Sequence, residues 1–529
     1  MNETTTAEPL TPRRLFPVAL MTLGGLVLAL GFPNDLLPGA LGDRPYPLVA
    51  WFALLPLCWG IQALPDKSAR WGVWLFSLVF ALIHLYWVHL FGILPWLLLA
   101  LAVSVFPLLA YLFSRWMPWG TTGQVIGFAL AFAGLEWLRG LGAFGFPWGE
   151  VGMSQVEGSL SCIAAIGGLP LLTVLMLLVV GAVVLRLRDA GAKRLLRVTA
   201  ALLFACFLAG WWQTYLALSR QARAGENRAL TITLVQPSVL RGLTAEDLER
   251  PRTLADWQLE QQRRLAILTP LSQSSTLTEA DRPRLIVWPE SAVPLPPYPP
   301  YNREMQTLAW ETNSYLLVGA PGYTLPRNAA YLLGPTGAVE DEYDKVHLVP
   351  FGEYVPFVRS LIDRFYSIRR TDVVPGDGYR LLRVDGNPLG VGICFESTFS
   401  GIARVYGKQG ARHLIYLTND AWFHRTAAVR QHFNQARFRA IETGLPVARC
   451  ASTGISGFIA PDGRVVQELP VYTRGALTHR VYDGVPGTVY TAWGWLVGPL
   501  CLLATIIMLL RGVLTRRKEA TETSDGGGA

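Results

Sequence analysis

Two hydrophobic patterns divide the chain: long apolar runs lie towards both ends, and short apolar runs separated by polar residues fill the middle. Each long run approaches the roughly 20 residues that a helix needs to cross the hydrocarbon core of a bilayer. We therefore predict eight membrane-spanning helices, seven before residue 220 and one after the central region. Their apolar cores run Leu15 to Phe32, Pro47 to Leu64, Trp71 to Phe91, Ile93 to Phe113, Val125 to Leu138, Leu160 to Leu185, Val198 to Leu218 and Trp493 to Leu510.

The central region, from about Asn227 to Gly484, has the pattern of an α/β domain. Short runs rich in β-branched and aromatic residues predict strands. Helices are predicted from Thr244 to Ile267, from Asn302 to Asn313 and from Thr426 to Thr443, the last with a basic and an apolar face. Because strands and helices alternate, we expect a layered α/β fold. The predicted strands begin at Leu230, Arg284, Tyr315, Asn328, Leu389, His413, Leu445 and Ser456.

These patterns predict four consecutive segments. Residues 1–219 form a transmembrane domain of seven helices, residues 220–488 the α/β domain, residues 489–512 the eighth transmembrane helix and residues 513–529 a disordered tail. The sequence EATETSDGGGA after Lys518 is polar and of low complexity, which is typical of disorder. The first apolar run follows Arg13 and Arg14 but lacks a small-residue cleavage site, so we interpret it as an uncleaved anchor.

The net charge of +8 comes mainly from short loops between the apolar runs. That distribution is typical of membrane topology, and we expect no nucleic-acid partner. If the N-terminus is cytoplasmic, the basic loops, including the clusters from Arg186 to Arg197 and from Arg511 to Lys518, fall on the cytoplasmic side. Seven spans then place the central domain on the non-cytoplasmic face. The tryptophans near its entry and exit are expected to be interfacial anchors: Trp211, Trp212, Trp493 and Trp495.

Cysteine and histidine positions favour neither disulfides nor a metal site. Four of the six cysteines lie inside apolar runs, and only Cys394 and Cys450 fall in the central domain, without a CxxC motif. The seven histidines include no HExxH motif, and the i, i+5 spacing of His84 and His89 does not put both on one helical face. We interpret these two histidines as polar groups satisfied between helices.

Three residues of the central domain could form a nucleophilic site. Cys394 ends an apolar strand in GVGICFES, where a strand-to-helix turn can project a thiol. Glu290 ends the strand LIVWPE, which is too apolar to be exposed on either face, and Lys345 lies in the turn-rich run YDKVHLVPFGEY. Taken singly, a packing cysteine and two solvated surface charges are the commoner outcomes. Ligand sites in open α/β folds collect at the carboxyl ends of strands, which favours a site for Glu290.

Four motifs occur together: WPE at Trp288–Glu290, YDKVHLVPFGEYVP at Tyr343–Pro356, GICFES at Gly392–Ser397 and TNDAWF at Thr418–Phe423. In order and spacing they resemble the carbon-nitrogen hydrolase (nitrilase) superfamily. With the predicted spans, the whole chain except its tail resembles the membrane-bound branch of that superfamily, the apolipoprotein N-acyltransferase family. The resemblance implies that the central domain is an αββα sandwich. Matches in the membrane region are GFPW at Gly145–Trp148, Ser154 and Gln155.

The resemblance implies a catalytic triad of Glu290, Lys345 and Cys394. Further matches are two supporting carboxylates, Glu353 and Glu396, and two substrate-binding residues, Trp422 and Asn328. Phe395 stands where the family often has tyrosine. For a family arginine after VPFGEYVP, both Arg359 and Arg364 fit, and we assign neither. No cofactor and no metal are implied.

A thiol with an ordinary pKa of about 8.5 is only a few per cent ionised at neutral pH, so Cys394 needs an activating group. The resemblance implies that Glu290 takes the proton, Cys394 attacks an acyl ester of a phospholipid, and Lys345 stabilises the oxyanion. The resulting thioester would pass its acyl group to the α-amino group of a diacylglyceryl-modified N-terminal cysteine. The expected partners are thus a phospholipid donor, an apolipoprotein acceptor and the bilayer.

The same resemblance predicts a monomer in a bacterial inner membrane, with both termini cytoplasmic and the catalytic domain periplasmic. Trp422, Phe423 and the stretch from Leu348 to Phe351 are candidates for a lid or an interfacial arm that admits an acyl chain sideways from the membrane. Two alternatives stay open. One is a membrane-tethered amidase that hydrolyses small C–N bonds, because its chemistry is the same up to the acyl-enzyme. The other is a lipid transporter or binding scaffold without catalysis.

Overall fold

The computed structural model describes residues 12–223, 229–239, 253–274, 284–355 and 372–525. A bundle of helices precedes the α/β domain, and one long helix follows it. Every predicted apolar run forms a helix within these bounds. The bundle helices are α1 (Pro12–Leu30), α2 (Pro47–Ala63), α3 (Asp66–His84), α4 (Ile93–Ser114), α5 (Gly120–Arg139), α6 (Ala164–Arg188) and α7 (Lys193–Arg223).

Among the described residues, four helices are long and apolar enough to cross a membrane: Ile93–Ser114, Ser159–Arg188, Ala190–Arg223 and Gly494–Lys518. The apolar helices Leu15–Leu30 and Pro47–Ala63 are shorter. The most apolar stretch of α6 is 78% buried, against 17% in α4 and 11% in α7. Thus α6 lies at the centre of the bundle, and α4 and α7 expose apolar side chains at its surface. The count of eight spans stays a prediction.

Two six-stranded sheets form the α/β domain, with the strand orders β12-β1-β2-β3-β4-β5 and β11-β10-β9-β8-β7-β6. In the first sheet β1, β2 and β3 are parallel, and in the second β7, β8 and β9 are parallel. The strands are β1 (Ala229–Gln236), β2 (Leu285–Val287), β3 (Tyr315–Pro321), β4 (Asn328–Leu333), β5 (Val339–Asp344), β6 (Leu381–Val384), β7 (Asn387–Ile393), β8 (His413–Thr418), β9 (Val447–Ala451), β10 (Ser456–Ile459), β11 (Val465–Leu469) and β12 (Gly475–Tyr482).

The two sheets pack face to face, and helices cover their outer faces. Inward side chains such as Ile232 and Ile415 share one apolar cluster between the sheets. Leu268 and Leu308, from the helices on the first sheet, pack in a second cluster, and Phe433, from the helices on the other sheet, packs in a third. This layering confirms the predicted α/β sandwich. The helices are α8 (Leu254–Ser274), α9 (Arg303–Thr312), α10 (Ser400–Lys408), α11 (Ala428–Thr443), α12 (Val489–Ala492) and α13 (Val497–Asp525).

The helix α11 departs from its predicted amphipathic pattern, because all of its residues except Arg430 are buried. It lies between the second sheet and the helix bundle, so both of its faces are covered. Two of its polar side chains have partners in the bundle: Gln431 Nε2 donates to the carbonyl of Pro33 at 2.8 Å, and Arg437 pairs with Glu157. The basic and the apolar face that the sequence predicted are therefore both covered by neighbouring elements.

Other differences between the predicted and observed elements lie at half-exposed strands and at the ends of helices. The strands β5, β6, β11 and β12 were not predicted, because half-exposed strands such as β5 (VEDEYD) carry charged residues instead of an apolar run. The short helix α10 was also missed. The helix predicted from Thr244 begins at Leu254 within the described residues and continues to Ser274. The helix α13 runs to Asp525, so the tail predicted to be disordered from residue 513 is helical that far. Its Arg, Lys, Glu and Ala residues are good helix formers.

Candidate active site

Polar side chains from both sheets meet where the parallel strands end. Glu290 lies in the turn after β2, Cys394 directly follows β7, and Asn419 directly follows β8. The carboxylate Oε2 of Glu290 accepts a hydrogen bond from the backbone N–H of Asn419 at 2.8 Å. This bond joins the two sheets at their carboxyl ends, where ligand sites of α/β folds collect.

The Glu290 carboxylate is 7% exposed and is held by three donors. Besides Asn419, the side-chain Nδ2 of Asn328 donates to Oε1 at 2.7 Å, and Lys345 Nζ lies 3.5 Å from the same oxygen. Asn328 begins β4, and its carbonyl accepts the backbone N–H of Lys345 at 2.8 Å. The orientation of Glu290 is therefore set by residues from three separate segments.

Lys345 is 1% exposed, yet its ammonium group is paired. Nζ lies 2.9 Å from Glu353 Oε2 and 3.5 Å from Glu290 Oε1. Burial lowers the pKa of Lys345, but the carboxylates of Glu353 and Glu290 outweigh burial, so the net shift of its pKa is upward. Lys345 therefore carries a positive charge at neutral pH, in a position sheltered from water.

Glu353 acts on Lys345 from the same loop. Its carboxylate accepts hydrogen bonds from Lys345 Nζ and Asn328 Nδ2, each at 3.0 Å, and from the backbone N–H of Val349 at 2.8 Å. Burial raises the pKa of Glu353, but Lys345 and these donors more than compensate, and its pKa is lowered. Glu353 is therefore ionised and stabilises the charge of Lys345.

Cys394 occupies a strained turn between β7 and a single turn of 3-10 helix, Cys394–Thr398. Its φ of +53° is in the left-handed region, which non-glycine residues seldom adopt. Burial raises the pKa of its thiol well above the ordinary value, and the Glu290 carboxylate raises it further, while Lys345 opposes both. The resting thiol is therefore protonated, so a nucleophilic role requires a base at the moment of reaction.

Glu396 is fully buried and binds the Cys394 turn to the Lys345 loop. One oxygen, Oε1, accepts from the Tyr343 hydroxyl at 2.9 Å and from the backbone N–H groups of Val346 and His347 at 2.9 and 3.0 Å. The other, Oε2, accepts from the backbone N–H of Ile393 at 2.7 Å. Burial raises the pKa of Glu396, although these donors oppose the shift. Glu396 thus braces the main chain on both sides of the site.

The two aromatic residues after Asp420 are arranged differently. Trp422 is 39% exposed, whereas Phe423 is 9% exposed. The Phe423 ring packs edge-on against Trp87 of the helix bundle, with ring centroids 4.9 Å apart, and against Trp148 at 5.9 Å. Phe423 thus contacts the helix bundle in this structure, and its assignment to a lid or interfacial arm stays a prediction. Phe351, in the other predicted lid stretch, is exposed.

The structure brings six of the seven predicted site residues into one hydrogen-bonded and ionic network around the Cys394 turn. The seventh, Trp422, lies in the turn Asp420–Phe423, which follows β8. Arg359 and Arg364 lie outside the described residues.

The sequence analysis did not identify the backbone N–H of Asn419 or the side chains of Tyr343, Asp420 and His432 as parts of the site. Tyr343 and Asp420 stand in two of the four motifs, which could have pointed to them. His432 stands in none of the motifs. Within the described residues, no group of three or more His, Cys, Asp or Glu side chains could hold a metal ion.

A buried Glu and Lys beside a half-buried Cys, at the joined ends of two sheets, are the arrangement expected of the carbon-nitrogen hydrolase class. Residues 253–483 match the family described as "Carbon-nitrogen hydrolase", and residues 24–182 match the "Apolipoprotein N-acyltransferase N-terminal domain". The chain belongs to the apolipoprotein N-acyltransferase family.

Two relatives carry this assignment. An apolipoprotein N-acyltransferase of Allorhizobium ampelinum is 32% identical over 486 residues, which cover 83% of this chain and 87% of that protein. One of Azotobacter vinelandii is 31% identical over 536 residues, which cover 92% of this chain and 96% of that protein. Among solved structures, the crystal structure of Saccharomyces cerevisiae Nit3, a nitrilase-superfamily member, aligns with a TM-score of 0.36 and 18% identity, covering 50% of this chain and 93% of that one.

Proposed function

We propose that this protein transfers a fatty acyl group from a membrane phospholipid to the α-amino group of the diacylglyceryl-modified N-terminal cysteine of an apolipoprotein. The observation that carries the proposal is that the domain containing Cys394 packs on the apolar helix bundle. Phe423 makes this contact with Trp87 and Trp148. We expect a thiol held on the bundle to lie within reach of the lipid whose ester it would attack. An enzyme for small soluble amides has no need of this contact.

In the first step, Glu290 removes the proton from the Cys394 thiol while Sγ attacks the ester carbonyl of the phospholipid. The oxyanion that forms accepts a hydrogen bond from Lys345 Nζ, whose charge Glu353 maintains. When the tetrahedral intermediate collapses, the C–O bond breaks and the lysophospholipid leaves with the proton from Glu290. The products are a thioester on Cys394 and an ionised Glu290, ready for the second substrate.

In the second step, the α-amino group of the acceptor attacks the thioester carbonyl. Glu290 takes a proton from the nitrogen, the C–S bond breaks, and the departing thiolate regains that proton. Asn328 keeps Glu290 in the required orientation, and Glu396 keeps the Cys394 turn and the Lys345 loop in register. The half-exposed Trp422 is assigned to substrate contact. No cofactor takes part in either step.

We assign one part of the chain to the membrane and the other to catalysis outside it. Residues 1–219 and 489–512 form the membrane domain of eight spans, and residues 220–488 form the catalytic domain. The basic loops between the bundle helices support cytoplasmic termini and a periplasmic catalytic domain in a bacterial inner membrane. Because each protomer carries a complete set of Glu290, Lys345 and Cys394, the proposed active form is a monomer.

Mass spectrometry of the purified protein after incubation with phospholipid, without acceptor, tests the proposal. We expect one fatty acyl mass on the peptide that contains Cys394, and its transfer to a diacylglyceryl-cysteine peptide added afterwards. Cys394→Ser should lose the thioester, whereas Cys206→Ser, which changes a half-buried cysteine of α7, should retain it. No acyl adduct on the wild-type protein, combined with ammonia release from simple amides, would instead favour the amidase.

A further inference from the structure

We propose that His432 is a positioning residue that holds the main chain of Cys394, and that Trp148 of the helix bundle holds His432 in turn. The bundle would then contribute to the geometry of the nucleophile as well as to anchoring. The proposal rests on the assignment of Cys394 as the nucleophile.

His432 contacts the Cys394 turn directly. Its Nε2 lies 3.2 Å from the carbonyl oxygen of Cys394 and 2.9 Å from Ser397 Oγ. The Ser397 hydroxyl donates to the same carbonyl oxygen at 2.8 Å. His432 and Ser397 are both buried, at about 1% and 0% exposure. The carbonyl of Cys394 is therefore held by two side chains, one from its own turn and one from α11.

A carbonyl oxygen only accepts hydrogen bonds, so the bond to Cys394 requires a proton on Nε2 of His432. The opposite ring nitrogen, Nδ1, lies 3.0 Å from Arg449 Nη2, which only donates, and 3.0 Å from Asp420 Oδ1. Arg449 and Asp420 form a buried ion pair of 2.9 Å. Burial raises the pKa of Asp420, but the Arg449 guanidinium is the largest of the contacts that oppose this shift, and the pKa is lowered to about 2. This ion pair fixes the rotation of the imidazole ring.

Cys394 needs such support because of its backbone conformation. A left-handed conformation is unfavourable for a non-glycine residue, and it persists only where surrounding contacts hold it. Fixing the carbonyl fixes the peptide plane after Cys394 and, with it, the direction of the Cα–Cβ bond. Displacements of about 1 Å at a reacting atom can cost on the order of a hundredfold in rate.

Trp148 links this arrangement to the helix bundle. It lies in the loop between α5 and α6 and is 1% exposed. Its ring centroid is 5.7 Å from that of His432, with a tilt of 33°. Its indole Nε1 donates to Gln431 Oε1 at 2.7 Å, and Gln431 donates on to the carbonyl of Pro33 at 2.8 Å. Trp148 of the bundle thus contacts His432, and His432 contacts the carbonyl of Cys394.

Two substitutions of His432 by amide side chains test its two ring nitrogens separately. The amide nitrogen of His432→Gln can replace Nε2 and donate to the Cys394 carbonyl, whereas that of His432→Asn replaces Nδ1 and reaches only towards Asp420. We expect His432→Asn to slow acyl-thioester formation about tenfold or more in single turnovers, with KM for phospholipid unchanged, and His432→Gln to recover most of the rate. Equal rates in the two variants, or losses that follow their thermal unfolding midpoints, would overturn the assignment.

Trp148→Phe retains an aromatic ring but loses the hydrogen bond to Gln431. We expect it to slow thioester formation several-fold, while Trp212→Phe, which changes an exposed tryptophan of α7, leaves the rate unchanged. An unchanged rate in Trp148→Phe together with Trp148→Ala would refute the link to the bundle.

Alkylation of Cys394 by iodoacetamide, followed by mass spectrometry, gives a readout that needs no lipid. If wild-type protein forms no thioester, the proposed acyl transfer fails. A difference in alkylation rate between His432→Asn and His432→Gln would still support positioning, and identical rates would reject it.

Discussion

The amide of Asn328 donates a hydrogen bond of 2.7 Å to Glu290 Oε1. The same nitrogen lies 3.0 Å from Glu353 Oε1. One neutral side chain therefore lies between two carboxylates, the buried Glu290 and the partly buried Glu353, that share Lys345 as their cation. Without it, the two carboxylates would face each other with fewer donors between them.

Replacing Asn328 should disable the site in a graded way. Asn328→Ala removes donors from both carboxylates, and we expect acyl-thioester formation to fall roughly tenfold or more, since about 1.4 kcal/mol corresponds to tenfold in rate. Asn328→Asp adds a third carboxylate beside the first two and should be slower still. Single-turnover labelling measures both, and the exposed substitution Asn313→Asp is the control. An active Asn328→Asp variant would contradict this role.

The raised pKa of the Cys394 thiol predicts opposite effects of one substitution on two reactions. Burial first, and then the negative charge of Glu290, raises the pKa of this thiol. Alkylation by iodoacetamide should therefore be slow at pH 7 and accelerate as pH rises. Glu290→Gln removes the negative neighbour, so the thiol pKa should fall and alkylation at pH 7 should become faster, while thioester formation from phospholipid nearly stops. If Glu290→Gln slowed both reactions, Glu290 would not act on the thiol in this way.

Glu396→Gln should damage both stability and catalysis. Glu396 accepts four hydrogen bonds, including those from the backbone N–H groups of Val346 and Ile393. A glutamine amide turns one acceptor oxygen into a donor that faces other donors, and a buried unsatisfied group costs about 1–3 kcal/mol. We expect a lower thermal unfolding midpoint in detergent and slower thioester formation, with Glu340→Gln, an exposed site on β5, unchanged in both. A fully stable Glu396→Gln variant would argue against a role of Glu396 in holding the main chain on both sides of the site.

Trp422 should affect substrate use more than folding. Its side chain is 39% exposed, whereas the neighbouring Phe423 is packed against the bundle. We expect Trp422→Ala to raise KM for phospholipid or acceptor several-fold with a small change in the unfolding midpoint. Trp310→Ala is the matched control, because Trp310 is 72% exposed on α9, which packs on the outer face of the first sheet. Unchanged steady-state constants for both substrates in Trp422→Ala would remove Trp422 from the site.

Acidification should destabilise the catalytic domain through His413, at the start of β8. Burial lowers its pKa to about 4, and Asp483 offsets this only in part. The unfolded chain takes up a proton below its ordinary pKa of about 6.5 and the folded chain does not, so stability is lost as pH falls from about 6.5 towards 4. Between pH 6.5 and 5 the loss is about 2 kcal/mol, at roughly 1.4 kcal/mol per pH unit. Thermal unfolding of His413→Gln at pH 7.5 and 5 should show a smaller drop than the wild-type protein; an equal drop would exclude His413 as a cause.

Much of the fold could be read from local patterns. Each predicted apolar run became a helix, and the eight predicted strands all appear, since length, apolarity and β-branched composition act within one segment. The unpredicted strands are half-exposed and charged, as in β5 and β11, and their pairing depends on neighbours that are distant in sequence. The helix α11 shows the limit most clearly. Its arginines suggest a solvated face, yet Arg437 is buried and pairs with Glu157, which is distant in sequence. Arg439 is buried too, with a hydrogen bond of 2.9 Å to the carbonyl of Thr398 and an ion pair with Glu442 of the same helix.

For the candidate site, the sequence by itself determined the candidate residues, because Glu290, Lys345 and Cys394 stand in motifs of recognisable order. Only the tertiary structure decided how they act on one another. It put the Glu290 carboxylate between Asn328, Lys345 and the Asn419 N–H, and it raised the pKa of the Cys394 thiol through burial. It also brought Trp148 against His432, although 283 residues separate Trp148 from its partner Gln431. Desolvation and long-range contact depend on which surfaces meet, and no local pattern contains that information.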